Sequence, residues 1–433
     1  MTRERLSSSA WLAWIAAMLV TPGVTLWLIA RHAVNVPISD DWSLVPLFAE
    51  RDAGTLSLGD LVAQHFEHVP VIPRAADLFM APLTKWDLRV EMYRNFGVAL
   101  ATLAVIVVAL RRSLRDARLV IASVLASLLV FSPVQYENWI WGWQLEWFLS
   151  NLAAITAFYA LAFVVDRSPR RGIAIATLAA FVATFSLGQG LLVWPLGLAI
   201  LVLRGRPWRV WAGAAVVAWG LYFAGWHNPD ELGSKTRSLD LPRQTADYVL
   251  QYLGGALGTG NAVARIAGVA LLAAFAAAAV AVLRRRDGEL LRRASTWLAL
   301  GAYALGSAML TAISRVDETV DVLSRYSVMG GLFALATVAL VYVVLPQTRP
   351  QVVLAVAAPV LVAGALTVRA GGDQLGVRAS GHQIFATCLR TITSPRDPCA
   401  PQLSPSERAL LQREIDLHWR YVAYLRRKGW AGF

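Results

Sequence analysis

Residues 10–42 read AWLAWIAAMLVTPGVTLWLIARHAVNVPISDDW. The run from Trp11 to Ala30 is apolar and about 20 residues long, the length a helix needs to cross a hydrocarbon core. Arg31 and His32 mark its end, and about ten residues on stand two adjacent carboxylates, Asp40 and Asp41. A pair of acids at the foot of a membrane helix is costly and poorly suited to packing. It places chemistry where loops meet the lipid surface.

The remaining composition fits a membrane chain. Of 433 residues, 57% are hydrophobic and 16% charged, against roughly 25% charged in soluble domains. Mean hydropathy is +0.52. The formal charge of +12 is almost all arginine, with lysine only at 85, 235 and 428. This excess falls in short loops between spans, where basic residues set orientation, so it does not imply nucleic acid. The first apolar stretch has no small-residue cleavage site and reads as a retained helix.

Hydropathy predicts an all-α polytopic protein of about eleven transmembrane helices. They cover roughly 10–30, 95–111, 118–132, 145–165, 172–187, 190–204, 210–226, 265–283, 295–313, 326–345 and 351–368. Four arginine clusters, at 111–118, 167–171, 204–209 and 284–293, then share the side of the N-terminus, which the positive-inside rule makes cytoplasmic. The other side holds the loops 31–94, 133–144, 227–264 and 314–325 and a tail, 369–433, beyond a core of 1–368. The long first loop is expected to carry surface helices near 57–68 and 74–84. Ser404-Pro405-Ser406-Glu407 is a capping box, and Leu411, Ile415, Trp419, Val422 and Leu425 follow at helical spacing, which predicts an amphipathic helix. Cys388 and Cys399, both in the tail, suit a disulfide in an oxidising exterior; two unpaired thiols are the alternative.

Asp40 or Asp41 can act as a general base toward a hydroxyl; a helix cap or solvated turn is the plainer reading. His65 and His68, three apart, are expected on one helical face, and with Glu67 they are candidates for acceptor or sugar contact. The spacing is not that of a zinc protease, and no cofactor is expected; a divalent metal shared by Asp41 with Glu67 or either His is the alternative. Arg74, Lys235, Arg315 and Arg325 lie on the outer side, where a positive-inside protein avoids cations unless something anionic binds; guanidinium forks hold phosphate oxygens. Pairing with Asp317, Glu318 or Asp321 is the alternative. Trp139, Trp141, Trp143 and Trp147 cluster with Glu137, Gln144 and Glu146 and read as an interfacial belt or as a surface for a sugar ring. Gly254–Gly260 lacks the Lys-Ser/Thr of a phosphate-cradling loop.

With its first span, its long loop opening on Asp40-Asp41, its surface helices and a late Arg-bearing outer loop, the chain resembles the C-type glycosyltransferase (GT-C) superfamily of membrane enzymes. The resemblance implies a polyprenyl-phosphate-linked sugar donor and a glycan or glycolipid acceptor at the outer face of a bacterial plasma membrane. It makes Asp40 or Asp41 the base of an inverting transfer, with Arg325, Arg315, Arg74 and Lys235 at the donor phosphate. A lipid-linked glycan polymerase or ligase shares this outline. A lipid or oligosaccharide transporter is a further alternative, although it calls for broken helices at mid-membrane and these spans are mostly unbroken Ala, Leu and Val.

Overall fold

A computed structural model describes residues 8–227, 241–258, 260–315, 322–345, 349–397, 399–401 and 403–433. Among these the regular elements are helices. They run α1 (Ser8–His32), α2 (Leu44–Ala53), α3 (Leu58–Val62), α4 (Val71–Thr84), α5 (Leu88–Ser113), α6 (Asp116–Val130), α7 (Tyr136–Trp139), α8 (Leu145–Tyr159) and α9 (Pro169–Thr184). The series continues with α10 (Val193–Leu203), α11 (Arg209–Phe223), α12 (Leu241–Gly254), α13 (Asn261–Arg285), α14 (Gly288–Arg315), α15 (Ser327–Val344), α16 (Pro350–Thr391) and α17 (Pro405–Lys428).

Eight helices among the described residues are long and apolar enough to cross a membrane, so the chain is a polytopic helical membrane protein. The other three expected spans fall on α9, on Gly188–Leu203 and on α11, each about one turn short of a 30 Å core at 1.5 Å per residue. Even so, each runs between the same two ends of the bundle. α9 leaves Asp166 and finishes where Phe185 accepts the Ile72 N–H (3.0 Å). Gly188 then lies beside His68, and that helix ends at Arg204. At the far end of α11 the Tyr222 hydroxyl donates to the Glu67 carbonyl (3.4 Å).

One end of the bundle gathers the arginines. Arg118 donates to the carbonyls of Tyr342 and Leu345, Arg285 to Val344 and Arg293 to Ser113. Arg204 forks onto both oxygens of Asp166 (2.9 and 2.7 Å). The clusters read from charge therefore meet at one end, and the long first loop lies at the other.

Two expectations need correction. The segment 227–264 contains α12, whose Tyr248, Tyr252 and Leu253 are buried. Its interspersed polar residues hid it from hydropathy. It packs so closely on α13 that a Cβ on Gly254 would fall 1.8 Å from the Ala264 carbonyl oxygen, and one on Gly268 would fall 2.0 Å from that of Leu250. Those glycines serve helix contact. Second, no break separates core and tail at 368, because α16 continues unbroken to Thr391.

α17 forms with the expected cap: Ser404 Oγ accepts the Glu407 N–H and the Glu407 carboxylate accepts the Ser404 N–H. It docks on the first loop. Trp42 stacks on His418 (centroids 4.9 Å apart), Tyr424 Oη donates to Asp52 (2.7 Å) and Lys428 pairs with it (2.9 Å). Although partial burial opposes its charge, these donors and Arg51 hold the Asp52 carboxyl down to about 2. Cys388 and Cys399 are joined in a disulfide that closes the turn between α16 and α17. Closing a loop this short contributes about 3 kcal/mol in the chain-entropy model. Non-reduced protein is expected to take up no maleimide, and reduction is expected to lower its melting temperature. Labelling before reduction would contradict the bridge.

Candidate functional site

The two acids of the sequence pair have opposite environments, and a single short turn causes this. Residues Ser39–Ser43 form a 3-10 turn in which the Ile38 N–H donates to Asp41 Oδ2 (3.0 Å) and Ser43 Oγ donates to the Asp40 carbonyl (2.7 Å). Asp41 is wholly buried, and its Oδ1 has no hydrogen-bond partner. Burial drives its carboxyl well above the usual range; the Ile38 N–H opposes this only in part, and Asp77 adds to the rise. Asp41 therefore faces the interior, where burial favours its neutral form.

Asp40 points the other way, its side chain about 30% exposed. Burial and the Glu146 carboxylate raise its carboxyl to about 6, against the pull of Arg325, His68 and Arg315. His65 Nε2 stands 3.8 Å from Asp40 Oδ1. Burial, then His68 and Arg74, push the His65 imidazole down to about 3, so the ring is neutral. Burial likewise opposes charge on His68, but its Nε2 meets Glu146 Oε2 at 2.9 Å, and Glu146 more than offsets that penalty, holding the imidazolium above its usual value. Glu146, which the sequence groups with the tryptophans and not with the acids and histidines of the first loop, thus joins the site. Its position in the first turn of α8 beside the tryptophan cluster was the available signal.

His65 and His68 do not share a helical face. The expected helix 57–68 stops at Val62, and residues 65–68 form a tight turn in which the two residues exchange backbone hydrogen bonds (2.8 and 3.0 Å). Phe66 holds a φ of 47° to close it. The turn presents both rings to Asp40 and Glu146, which helical spacing would not.

The cations separate by role. Arg325 lies over the rings of Tyr326 (5.2 Å) and Trp141 (5.8 Å), with Glu137 Oε1 3.8 Å from its Nη1. Glu137 anchors this turn, because its Oε2 accepts from Ser324 Oγ (2.8 Å) and from the Arg325 N–H (3.2 Å). Arg315 reaches Glu67 (3.0 Å), which brings the far end of α14 onto the first loop. Arg74 is buried, and its Nη1 donates to the carbonyls of Leu61 and Ala63. That ties α3 to α4 and removes Arg74 from the expected phosphate set. Lys235, with Asp317, Glu318 and Asp321, lies outside the described residues.

The dense tryptophans are interior. Trp139 is fully buried, stacked between Phe131 and Phe148, and Trp143 packs on His65 (4.8 Å). Neither a lipid belt nor a sugar platform describes Trp139 or Trp143. Trp141 supports the Arg325 guanidinium. Beneath the site Asp41, Asp77 and Glu91 share one buried cation, Arg94, whose Nη1 donates to Asp77. Burial raises the Asp77 carboxyl even against Arg94. A Cβ on Gly142 would fall 2.2 Å from Glu91 Oε2, so a larger residue there would displace the Glu91 carboxyl.

The preference of Asp41 for its neutral form has a direct check. Asp41→Asn keeps the shape and the acceptor for Ile38 and is expected to match the parent in thermal stability. Asp41→Ala leaves that buried N–H unpaired and is expected to cost about 1–3 kcal/mol. If Asn destabilised as much as Ala, the neutral assignment would be wrong. Comparison with protein-family models, with curated proteins and with solved structures finds no match to this chain.

Proposed function

We propose that this chain is a membrane glycosyltransferase of the C type, an eleven-span protein of the bacterial plasma membrane with its arginine-rich end in the cytoplasm. It moves a sugar from a polyprenyl-phosphate carrier to a glycan or glycolipid acceptor outside. The observation that carries this reading is Asp40: a half-buried carboxyl at about 6, within the field of Arg325 and Arg315, at the bundle end opposite the basic loops. A general base works best with a pKa near the operating pH, and a phosphate leaving group needs fixed positive charge.

In this mechanism the Asp40 carboxylate takes the proton of an acceptor hydroxyl. The oxygen attacks the anomeric carbon, the bond from that carbon to the phosphate oxygen breaks, and polyprenyl phosphate departs with the electron pair. Configuration inverts. Arg325, held flat on Trp141 and Tyr326, receives the developing phosphate charge, with Arg315 beside it. Neutral His65 orients the acceptor hydroxyl or Asp40 itself. The His68–Glu146 pair, with Glu67 on Arg315, fixes the first loop against the bundle. A polymerase or ligase of lipid-linked glycans would use the same groups on a larger donor; a transporter would not need the base.

Stability and activity are expected to move in opposite directions. Between about pH 4, the usual carboxylate value, and about pH 6, folded Asp40 keeps a proton that the unfolded chain has released. Stability therefore falls as pH rises through this window, and ionised Asp40 burdens the fold above it. Asp40→Asn is expected to equal or exceed the parent in melting temperature while losing sugar transfer by about 10²–10⁴-fold. Transfer retained by this well-folded variant would remove the catalytic claim. Arg325→Ala, which keeps Asp40, is expected to weaken retention of polyprenyl phosphate; unchanged retention would move the phosphate site elsewhere.

A further inference from the structure

A charged cavity lies at the opposite end, remote from Asp40. It measures about 560 Å³ and opens where the segments following α8, α10 and α13 meet the start of α14. Four guanidinium groups face it, from Arg204, Arg206, Arg286 and Arg292, against two carboxylates, Asp166 and Glu289.

Their pairing is uneven. Asp166 is taken by Arg204 and Arg206 (both 2.7 Å), and Glu289 by Arg292 (2.6 Å). Arg204 is committed further, donating to the carbonyls of Leu161 and Ala162, and its side chain is only 5% exposed. It builds the wall. Arg206 keeps a buried Nε with no acceptor. Arg286 makes no ion pair among the described residues. It also caps α13 at a φ of 50°, a left-handed conformation that favours glycine. An arginine at a position suited to glycine, with no anion opposite it, points to a ligand that supplies one. The cavity as a whole carries two positive charges more than negative.

The rim locates the ligand. Leu203 and Leu283, the last apolar residues of α10 and α13 before the basic segments, both line this cavity and are about half exposed. Basic side chains thus begin where apolar, outward-facing ones stop, which is where headgroups meet acyl chains. Basic pockets between membrane helices on the cytoplasmic side suit anionic lipid headgroups.

We propose that this cavity binds the phosphate group of an anionic phospholipid, with Arg286 and Arg206 as its principal ligands, Arg292 shared with Glu289, and the acyl chains lying along Leu203 and Leu283. The assignment is independent of sugar transfer at the other end. Guanidinium groups already neutralised in part still donate to a phosphate oxygen, since each carries five N–H groups.

The test uses the full chain purified in neutral detergent and titrated with phosphatidylglycerol, phosphatidylcholine or inorganic phosphate, read by native mass spectrometry. Retention of phosphatidylglycerol over phosphatidylcholine is expected. Arg206→Gln with Arg286→Gln should reduce it about fivefold for each guanidinium removed. Arg111→Gln with Arg112→Gln, which removes equal charge from exposed positions at the same end, should leave retention as in the parent. Equal loss in both double variants would mean a diffuse surface effect and overturn the site, as would no loss in the first. Binding of inorganic phosphate without preference for phosphatidylglycerol would overturn the lipid assignment.

Discussion

The hydrogen bond from the Ile38 N–H to Asp41 Oδ2 sets the geometry at the end of the bundle opposite the arginine clusters. It turns one acid of an adjacent pair into the core, where burial favours its neutral form, and so turns the other toward Arg325, His65 and the Glu146–His68 pair. The device works because Asp41 lies over Asp77 and Glu91, where a second negative charge is costly and the neutral form is favoured.

Around that turn the molecule is clamped from two directions. From the C-terminus, α17 stacks His418 on Trp42, the residue next to Asp41, and grips Asp52 through Tyr424 and Lys428. From the bundle, α14 brings Arg315 onto Glu67 of the same loop, and the 322–326 turn holds Arg325 on Glu137 and Trp141, where its charge acts on Asp40. The long loop, whose Trp42, Leu44, Val45 and Phe48 are buried, is thereby also held by partners distant in sequence. The disulfide between Cys388 and Cys399 keeps one of those partners in place.

Much of this architecture was legible in the chain. Apolar runs of membrane length and the clustering of arginine gave the helical bundle and the grouping of its ends, because both patterns follow from the cost of charge in lipid. The Ser404–Glu407 cap was readable for a local reason: its partners are three residues apart. The candidate site was legible as a neighbourhood only. That Asp41 would be interior and Asp40 not depends on a 3-10 turn whose sequence, Ser39-Asp40-Asp41-Trp42-Ser43, carries no periodic signal. Arg74 could not be told from Arg325 by composition, since the carbonyls that hold it, at residues 61 and 63, are freed only because α3 ends at Val62. Glu146 was hidden among tryptophans that resemble a membrane belt yet pack as core. α12 escaped because hydropathy averages over its buried tyrosine face and its exposed polar face.

The central claim is that Asp40 is a titrating carboxyl held beside a phosphate-binding pair of guanidinium groups. Its most direct test is the infrared or carboxyl-carbon NMR titration of Asp40 in the intact protein, assigned by difference from Asp40→Asn, without and with polyprenyl phosphate. A midpoint near 6 is expected for the free protein, rising when the lipid phosphate neutralises Arg325 and Arg315, which otherwise hold it down. A midpoint near the ordinary value of about 4, unmoved by the lipid, would contradict the account.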